Sequence, residues 1–426
     1  MLAMPVDVLL VGSGGREHAL AWKLSQSPRI GKLYIAPGNG GTSQCGENVD
    51  IAATDIKKLL AFAQEKNIGL TVVGPENPLD LGIVDAFKAA GLKIFGPMRA
   101  AAQIESSKVF SKNLMEEAGV PTAQFKTFSD LSSALAYVTE RGAPIVVKDS
   151  ALVFGKGVTI CRTVQEAQDA LRDIFSTKGK QVVIEDFLEG PEVSIHAICS
   201  GTDFVLLPAS QDHKRVGEGD TGKMTGGIGA IYPLPFVTPE LMEEIGKTIV
   251  RPILQALADA GTPFSGLLYP GLILTKTGPK VIEFNSRFGD PECELYMRIL
   301  QDDILTILEA SASGDMRGLS VVCGQMGCVN LILCSGGYPD EYKKGLPITG
   351  IEEAEKVPDA IVFHAGTKYQ GRTLITNGGR VLGVTAVAPT LKEALDAAYE
   401  AADKIRFEGK YYRRDIGAKA LGVSGP

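Results

Sequence analysis

The stretch Val281-Ile-Glu-Phe-Asn-Ser-Arg-Phe-Gly-Asp-Pro-Glu292 decides how this chain is read. Val281, Ile282 and Phe284 favour a strand, and successive side chains on a strand point to opposite faces. That alternation sends Ile282 and Phe284 into a core and leaves Glu283 and Asn285 together on the other face. Two hard oxygen donors on one face, with Arg287 close behind, suit a Mg²⁺ ion bridging phosphate groups, because Mg²⁺ takes few protein ligands and prefers substrate phosphates for the remainder. The same residues also describe a half-exposed strand with a polar outer face. The rest of the chain has to separate the two.

Immediately upstream, Ser265-Gly-Leu-Leu-Tyr-Pro-Gly-Leu-Ile-Leu274 reads as a second strand and Lys276-Thr-Gly-Pro279 as a turn, so the pair forms a hairpin, preceded by a helix over residues 238–260. Before that helix, Gln211-Asp-His-Lys-Arg-Val-Gly-Glu-Gly-Asp-Thr-Gly-Lys-Met-Thr-Gly-Gly-Ile-Gly229 carries both signs of charge and six glycines. A loop so long and glycine-rich inside a compact domain is functional or mobile. Val182-Val-Ile-Glu-Asp-Phe-Leu-Glu-Gly190 reads as a strand with a free backbone edge that, with Glu185 nearby, can read the donor and acceptor edge of an adenine. Pro144-Ile-Val-Val-Lys148 and Phe154-Gly-Lys-Gly-Val-Thr-Ile160 are consecutive strands bearing lysines, a hairpin able to fold over phosphates; each lysine alone also fits a solvated strand end. Residues 103–118 form one polar helix stopped by Gly119-Val-Pro121.

The first hundred residues alternate strands with turn-rich loops. Val6-Asp-Val-Leu-Leu-Val11 is a buried parallel strand, and Gly12-Ser-Gly-Gly-Arg-Glu-His-Ala-Leu-Ala21 opens a helix whose glycines let backbone N–H groups approach an anion. The third glycine of a dinucleotide fingerprint is absent, so Arg16 and His18 fit a small phosphorylated ligand better, with His18 equally a capping or core histidine. Beyond residue 329 short strands at 329–334, 360–365 and 379–387 precede a helix at 390–405; Arg380 there either closes one side of the site or, the simpler expectation, lies on the surface.

Composition narrows the partners. At 426 residues about three domains are expected, and 45% hydrophobic with 22% charged residues is ordinary for globular chains. A net charge of −7 offers no general field for nucleic acid, so any anion site is local. The seven cysteines contain no C-x-x-C pair and read as free thiols in a reducing compartment, and neither a signal peptide nor a membrane span is expected. A cytoplasmic protein, most simply a monomer, follows as the expectation.

Taken together, Gly12-Ser-Gly-Gly-Arg-Glu-His-Ala19, Pro37-Gly-Asn39, Gly74-Pro-Glu76, Gln211-Asp-His-Lys-Arg-Val216, Gly219-Asp-Thr-Gly222, Thr225-Gly-Gly227, Glu283-Phe-Asn285, Arg287-Phe-Gly-Asp-Pro-Glu292, residues 376–385 and Tyr412-Arg-Arg-Asp-Ile-Gly417 resemble the glycinamide ribonucleotide synthetase family of ATP-grasp ligases over nearly the whole length. The resemblance implies an α/β and α+β chain with an N-terminal open parallel α/β domain at 1–102, a central ATP-grasp domain at 103–123 and 193–328, a mobile lid at 124–192 and a small C-terminal domain at 329–426. It implies ATP with Mg²⁺ or Mn²⁺, and glycine and 5-phosphoribosylamine as substrates joined through a glycyl phosphate. Carried over position by position, Lys108 and Lys148 touch ATP phosphates, Gly155, Lys156 and Gly157 cover them, Glu185 and Leu188 meet the adenine, and Glu192 the ribose. Glu283 and Asn285 hold the metal, Arg287 and Lys148 neutralise the migrating phosphoryl group, Asp212, Gly226 and Gly227 line the substrate side, and Gly15 and Asn39 take the phosphoribosyl phosphate. Three departures stand out: the bulky Asp149-Ser-Ala-Leu-Val-Phe154 before Gly155, Met224 where a small polar residue is usual, and Cys293-Glu294 after Glu292. Other members of the superfamily, carboxylases or formate-using transformylases, lack reason to carry the Asp212-His-Lys-Arg215 run. A regulatory nucleotide-binding module would not need Lys148, Glu283, Asn285 and Arg287 together.

Overall fold

The computed structural model describes residues 5–151 and 157–422, so the expected lid residues Gly155 and Lys156 lie outside the described residues. Five strands, β1 (Val6–Gly12), β2 (Ile30–Pro37), β3 (Glu47–Asn48), β4 (Leu70–Val73) and β5 (Ile94–Phe95), make a wholly parallel sheet in the order β3-β2-β1-β4-β5. Apolar runs on β1 and β4 suit strands buried on both faces, and Val8 to Val11 are withdrawn from solvent. The chain moves from β1 to β2 on one side and reaches β4 on the other. The loops after β1 and β4 therefore flank a crevice at the carboxyl edge, where open α/β sheets bind ligands.

A small α+β unit follows. Its strands β6 (Phe125–Phe128), β7 (Ile145–Asp149), β8 (Val158–Cys161) and β9 (Val182–Asp186) form an antiparallel sheet in the order β6-β9-β7-β8. Helices Leu131–Arg141 and Val164–Phe175 supply Ala134, Val138, Ala167 and Leu171, which pack with Ile145, Val147, Val182 and Ile184 into a core of the unit's own. Period-two alternation then puts Lys148 and Glu185 on the opposite face. β9 is interior, paired to β6 on one edge and β7 on the other. The expected free edge at Glu185 is thus corrected, because the sheet consumes it; the chain leaves the ladder only at Phe187 and Leu188.

The centre contributes β10 (Glu192–Ser194), β11 (Ala197–Ser200), β12 (Asp203–Leu206), β13 (Gln211–Asp212), β14 (Arg215–Gly217), β15 (Thr221–Met224), β16 (Gly229–Tyr232), β17 (Ser265–Thr275) and β18 (Gly278–Asn285). One sheet runs β10-β17-β11-β12 with β18 paired to β17, which is the hairpin expected from the sequence. The C-terminal strands are β19 (Gly327–Cys334), β20 (Ala360–His364), β21 (Thr367–Gln370), β22 (Thr373–Thr376) and β23 (Arg380–Ala388). β13 and β16 join three of them in the order β13-β16-β19-β23-β20, so a single sheet crosses from the centre into the C-terminal region. One continuous hydrophobic core backs it, from Val281 and Phe284 to Val384 and Ala398.

Two local departures shape the site. The single helix expected at 103–118 is two helices, Arg99–Ser106 and Lys108–Glu117, because Ser107 leaves helical geometry and its hydroxyl accepts the Phe110 N–H at 3.2 Å as an N-cap. In β18 the register shifts between Gly271 and Leu272, so that Val281 pairs with Leu272, Glu283 with Gly271, and Ile282 is the extra residue of a bulge. Val281 and Phe284 enter the core, each contributing about 1.5–3 kcal/mol of apolar burial. Ile282 does not join them: the bulge turns it toward the cavity it lines. Strict alternation is broken at one residue, and Glu283 and Asn285 still emerge together.

Candidate active site

A cavity of about 400 Å³ lies where all these parts meet. The parallel sheet presents Arg16 and Glu76, the paired helices present Glu105 and Lys108, and the α+β unit presents Lys148, Gly157 and Val158. The glycine-rich loop gives Asp212, Lys214, Met224 and Gly226; β18 and the turn after it give Ile282, Glu283, Asn285, Arg287, Asp290 and Glu292; the C-terminal region gives Arg380.

Cations line one side. Lys148 ion-pairs with Glu185 and donates to the Ile282 carbonyl at 2.8 Å. Glu185 also pairs with Lys112, which donates to Thr122 Oγ1 at 2.6 Å. Burial lowers the Lys112 ammonium to about 8 despite its carboxylate partner, and burial also lowers Lys108. For Glu185 burial favours the neutral acid, but Lys148 and Lys112 outweigh it and hold the carboxyl below its ordinary range. Glu185 is therefore occupied by two lysines behind the cavity wall.

A further cation, Lys214, ion-pairs with Glu192 and sits 3.1 Å from Glu283 Oε1. The Lys214 charge pushes the Glu283 carboxyl down to about 2, against the upward effect of burial, so Glu283 is ionised at neutral pH. Its side chain remains 34% exposed to the cavity. Asn285 Oδ1 accepts from Arg287 at 3.2 Å, and Arg287 pairs with Glu76 at 3.2 Å and Glu105 at 2.9 Å. This network ties β18 to the parallel sheet and the paired helices together.

The floor is acidic and buried. Asp212 is buried with Oδ1 lacking a hydrogen-bond partner, and burial, with Glu292 beside it, pushes its carboxyl well above the usual range. Gly227, at φ +102°, stands so near that an added Cβ would lie 2.6 Å from Asp212 Oδ1. Glu292 Oε1 accepts from Ser194 at 2.8 Å and Tyr269 at 2.6 Å. Arg380 donates to the carbonyls of Gly226 and Asp290, both at 2.7 Å, and pairs with Asp290 at 3.1 Å, so the surface position first expected for it is corrected.

The cavity gathers Lys108, Lys148, Gly157, Asp212, Gly226, Glu283, Asn285 and Arg287 from the residues singled out in the sequence. Glu192 meets it through Lys214, and Gly227 stands behind Asp212. Leu188 is half-buried beyond β9 and does not line it. Gly15 and Asn39 are also elsewhere. A Cβ on Gly15 would collide with Glu294 Oε1, and the Asn39 amide donates to the Ser13, Gly14 and His364 carbonyls while its oxygen accepts from Gly41 and Thr42. The anion at this helix N-terminus is internal: Glu17 accepts the Gly14 N–H and pairs with Arg16, and Gly12, Gly14 and Gly74 leave room for its side chain. His18 is the core histidine of the two possibilities, its Nδ1 accepting the His364 N–H at 2.7 Å. Sequence reasoning missed Lys112, Glu105 and Tyr269, which carry no local signal, and passed over Lys214 although it lies in the Asp212-His-Lys-Arg215 run.

A parallel α/β sheet, a small antiparallel unit bearing lysines and a bulged strand bearing an ionised, cavity-facing carboxylate are the parts of an ATP-grasp enzyme. The ATP-grasp class uses ATP with divalent metal ions. Comparison with known proteins carries this further: models of the phosphoribosylglycinamide synthetase N domain, ATP-grasp (A) domain and C domain match residues 6–105, 106–293 and 328–419. The chain belongs to the phosphoribosylglycinamide synthetase family. It is 46% identical over 424 residues to phosphoribosylamine–glycine ligase of Vibrio cholerae, covering 98% of this chain and 99% of that protein, and 46% identical to that of Pasteurella multocida, covering 98% of each. The solved phosphoribosylamine–glycine ligase of Thermotoga maritima matches with a TM-score of 0.83 at 32% identity, over 96% of this chain and 100% of its own. The biotin carboxylase domain of Hydrogenobacter thermophilus 2-oxoglutarate carboxylase shares the fold at TM-score 0.74 and 17% identity, over 99% and 96%. Among the described residues no helix is long and apolar enough to cross a membrane.

Proposed function

We propose that this chain joins glycine to 5-phosphoribosylamine with ATP, giving glycinamide ribonucleotide, ADP and phosphate, as a step of purine biosynthesis. What carries the reading is the meeting of Lys108, Lys148 and Lys214 with an ionised, cavity-facing Glu283 in one crevice. A carboxylate is a poor electrophile, so the glycine oxygen first attacks the γ-phosphorus and ADP departs. The amine of phosphoribosylamine then attacks the acyl carbon of glycyl phosphate, phosphate departs, and the amine loses a proton. Little covalent work falls to the protein; positioning and charge stabilisation supply the rate.

Glu283 and Asn285 fit a divalent ion, because their oxygens are hard, adjacent and open to the cavity. Two protein oxygens leave the rest of the coordination sphere to substrate phosphate, which suits Mg²⁺, or Mn²⁺ in its place. When bound, the ion neutralises phosphate oxygens during transfer. Lys108 and Lys148 hold the phosphates together with Gly157, while Arg287 meets the migrating group. Leu188 and the chain just past Glu185 meet the adenine, and Glu192 the ribose. Asp212, whose buried oxygen lacks a donor, takes the glycine ammonium, since a cationic donor supplies both the charge and the hydrogen bond it lacks. Gly226 and Gly227 frame that pocket. The phosphoribosyl end lies toward Arg16, with Gly15 and Asn39 shaping the wall behind.

The test mixes the protein with ATP, Mg²⁺, glycine and freshly generated phosphoribosylamine and follows ADP. ADP release is expected only with both co-substrates; release indifferent to omitting either one overturns the ligase reading.

A further inference from the structure

The run Tyr412-Arg-Arg-Asp-Ile-Gly417 has no part in the chemistry above, yet it carries Arg413, the largest side chain fully withdrawn from solvent among the described residues. A buried guanidinium is tolerated only when its donors are used. Here Arg413 Nε and Nη2 donate to the two oxygens of Asp415 at 2.7 Å, and Nη1 donates to Asp220 Oδ1 at 2.8 Å and to the Arg215 carbonyl at 3.0 Å. The neighbouring residues repeat the pattern. Tyr411 donates to the Val216 carbonyl at 2.6 Å, Asp415 Oδ2 accepts the Gly219 N–H at 2.8 Å, and Lys419 pairs with Asp220. On the other flank, the Gly417 N–H donates to His213 Nε2 at 3.2 Å. His213 and Arg215 are the two neighbours of Lys214. Both are therefore tied to one short C-terminal segment while the Lys214 ammonium between them reaches Glu192 and Glu283.

We infer that residues 411–419 are a clamp that sets Lys214 in the cavity, with Arg413 as its central positioning residue. Apart from the clamp the β14–β15 hairpin has its own two-strand ladder, an exposed Lys223–Asp340 ion pair and the Arg380 and Tyr338 contacts to Gly226 at its far end, and a two-stranded hairpin with so few supports is marginal in water. The clamp's geometry stands by itself; its effect on turnover rests on the ligase reading.

The full chain carrying Arg413→Met, Lys214→Met or both is compared with the unaltered protein in ADP release, in binding of ADP without metal, and in backbone hydrogen exchange. Arg413→Met is expected to lower kcat about 10- to 100-fold, as misplacement by about an ångström does. ADP affinity should fall far less than kcat, because Lys108 and Lys148 lie outside the clamp and only Glu192, held by Lys214, links it to the ribose. The double variant should be no slower than Lys214→Met, since the clamp acts through that lysine. Losses that multiply, or ADP affinity that falls in step with kcat, overturn the inference and leave Arg413 a general stabiliser. Should Arg413→Met not fold, Asp220→Asn cuts the same latch from the more exposed hairpin side and is expected to lower kcat in the same direction. If the unaltered protein needs neither glycine nor phosphoribosylamine to release ADP, the ligase reading fails and exchange decides the clamp. Faster exchange over residues 213–226 in Arg413→Met, with the parallel sheet unchanged, supports it; unchanged exchange there overturns it.

Discussion

Glu185 and Glu283 are two glutamates gathered around one lysine, and they differ in what is left over. Lys148 pairs with Glu185 and donates to the carbonyl of the residue just before Glu283. Glu185 is 4% exposed and lies between two ammonium groups. Glu283 is 34% exposed and has one lysine on one oxygen. Both carboxyls are held below their ordinary range by lysines. A carboxylate closed on two sides by the protein's own charges has its charge already matched, whereas one kept ionised but open fits the cation proposed for it. Charge state alone does not separate the two roles; exposure does.

The sharpest way to break this comparison is Glu283→Gln. It keeps the shape and removes the charge, and glycine-dependent ADP release is expected to fall about 10³-fold, with the unfolding midpoint lowered less than in Glu185→Gln because Lys214 keeps Glu192 as a partner. Near-normal turnover would refute the metal-strand role. Glu185→Gln should behave in the opposite order. It leaves Lys112 and Lys148 buried without their counter-charge, and breaking such a buried pair costs about 3 kcal/mol of folding stability. Denaturant unfolding would show it, and a midpoint equal to that of the unaltered protein would mean the lysines find other partners.

Much of this arrangement was legible in the residues. The parallel sheet, the β17–β18 hairpin and the pairing of Glu283 with Asn285 follow from apolar periodicity and turn residues, which act over a few positions. The bulge at Ile282 was not legible, because it depends on how β17 lies against β18 rather than on either strand. The interior place of β9 was hidden for the same kind of reason: its second neighbour, β6, lies more than fifty residues upstream. The Glu185 pairs needed that sheet before they could be drawn. The glycines after β1 misdirect in another way, since the room they make is filled by Glu17, a residue of the same turn. Arg380 and Lys112 carry ordinary local context and become site residues only when distant elements close on them.

Acid separates the ion pairs from the rest of the core, and its expected effect is the smallest. A carboxyl with a lowered native pKa contributes stability that is present above its unfolded value, about 4.3, and is lost only as pH falls from there toward the native value. Neither Glu185 nor Glu283 therefore weakens the fold between pH 7 and pH 5. The histidines do. Burial holds His18 at about 3, with His364 adding to the effect, and burial holds His213 and His364 at about 4. A histidine kept neutral in the native state takes up its proton first in the unfolded chain, so stability is lost as pH drops below about 6.5 and continues to be lost down to the native pKa. His18→Gln, whose amide oxygen can still accept the His364 N–H, should therefore lose about 1 kcal/mol less than the unaltered protein between pH 6 and pH 5. Glu185→Gln should lose the same amount as the unaltered protein over that interval, despite its lower stability throughout. A shallower loss in Glu185→Gln would show that the Glu185 carboxyl of the unaltered protein already takes up its proton above pH 5 as the chain unfolds, and the distinction between a closed and an open carboxylate would have to be redrawn.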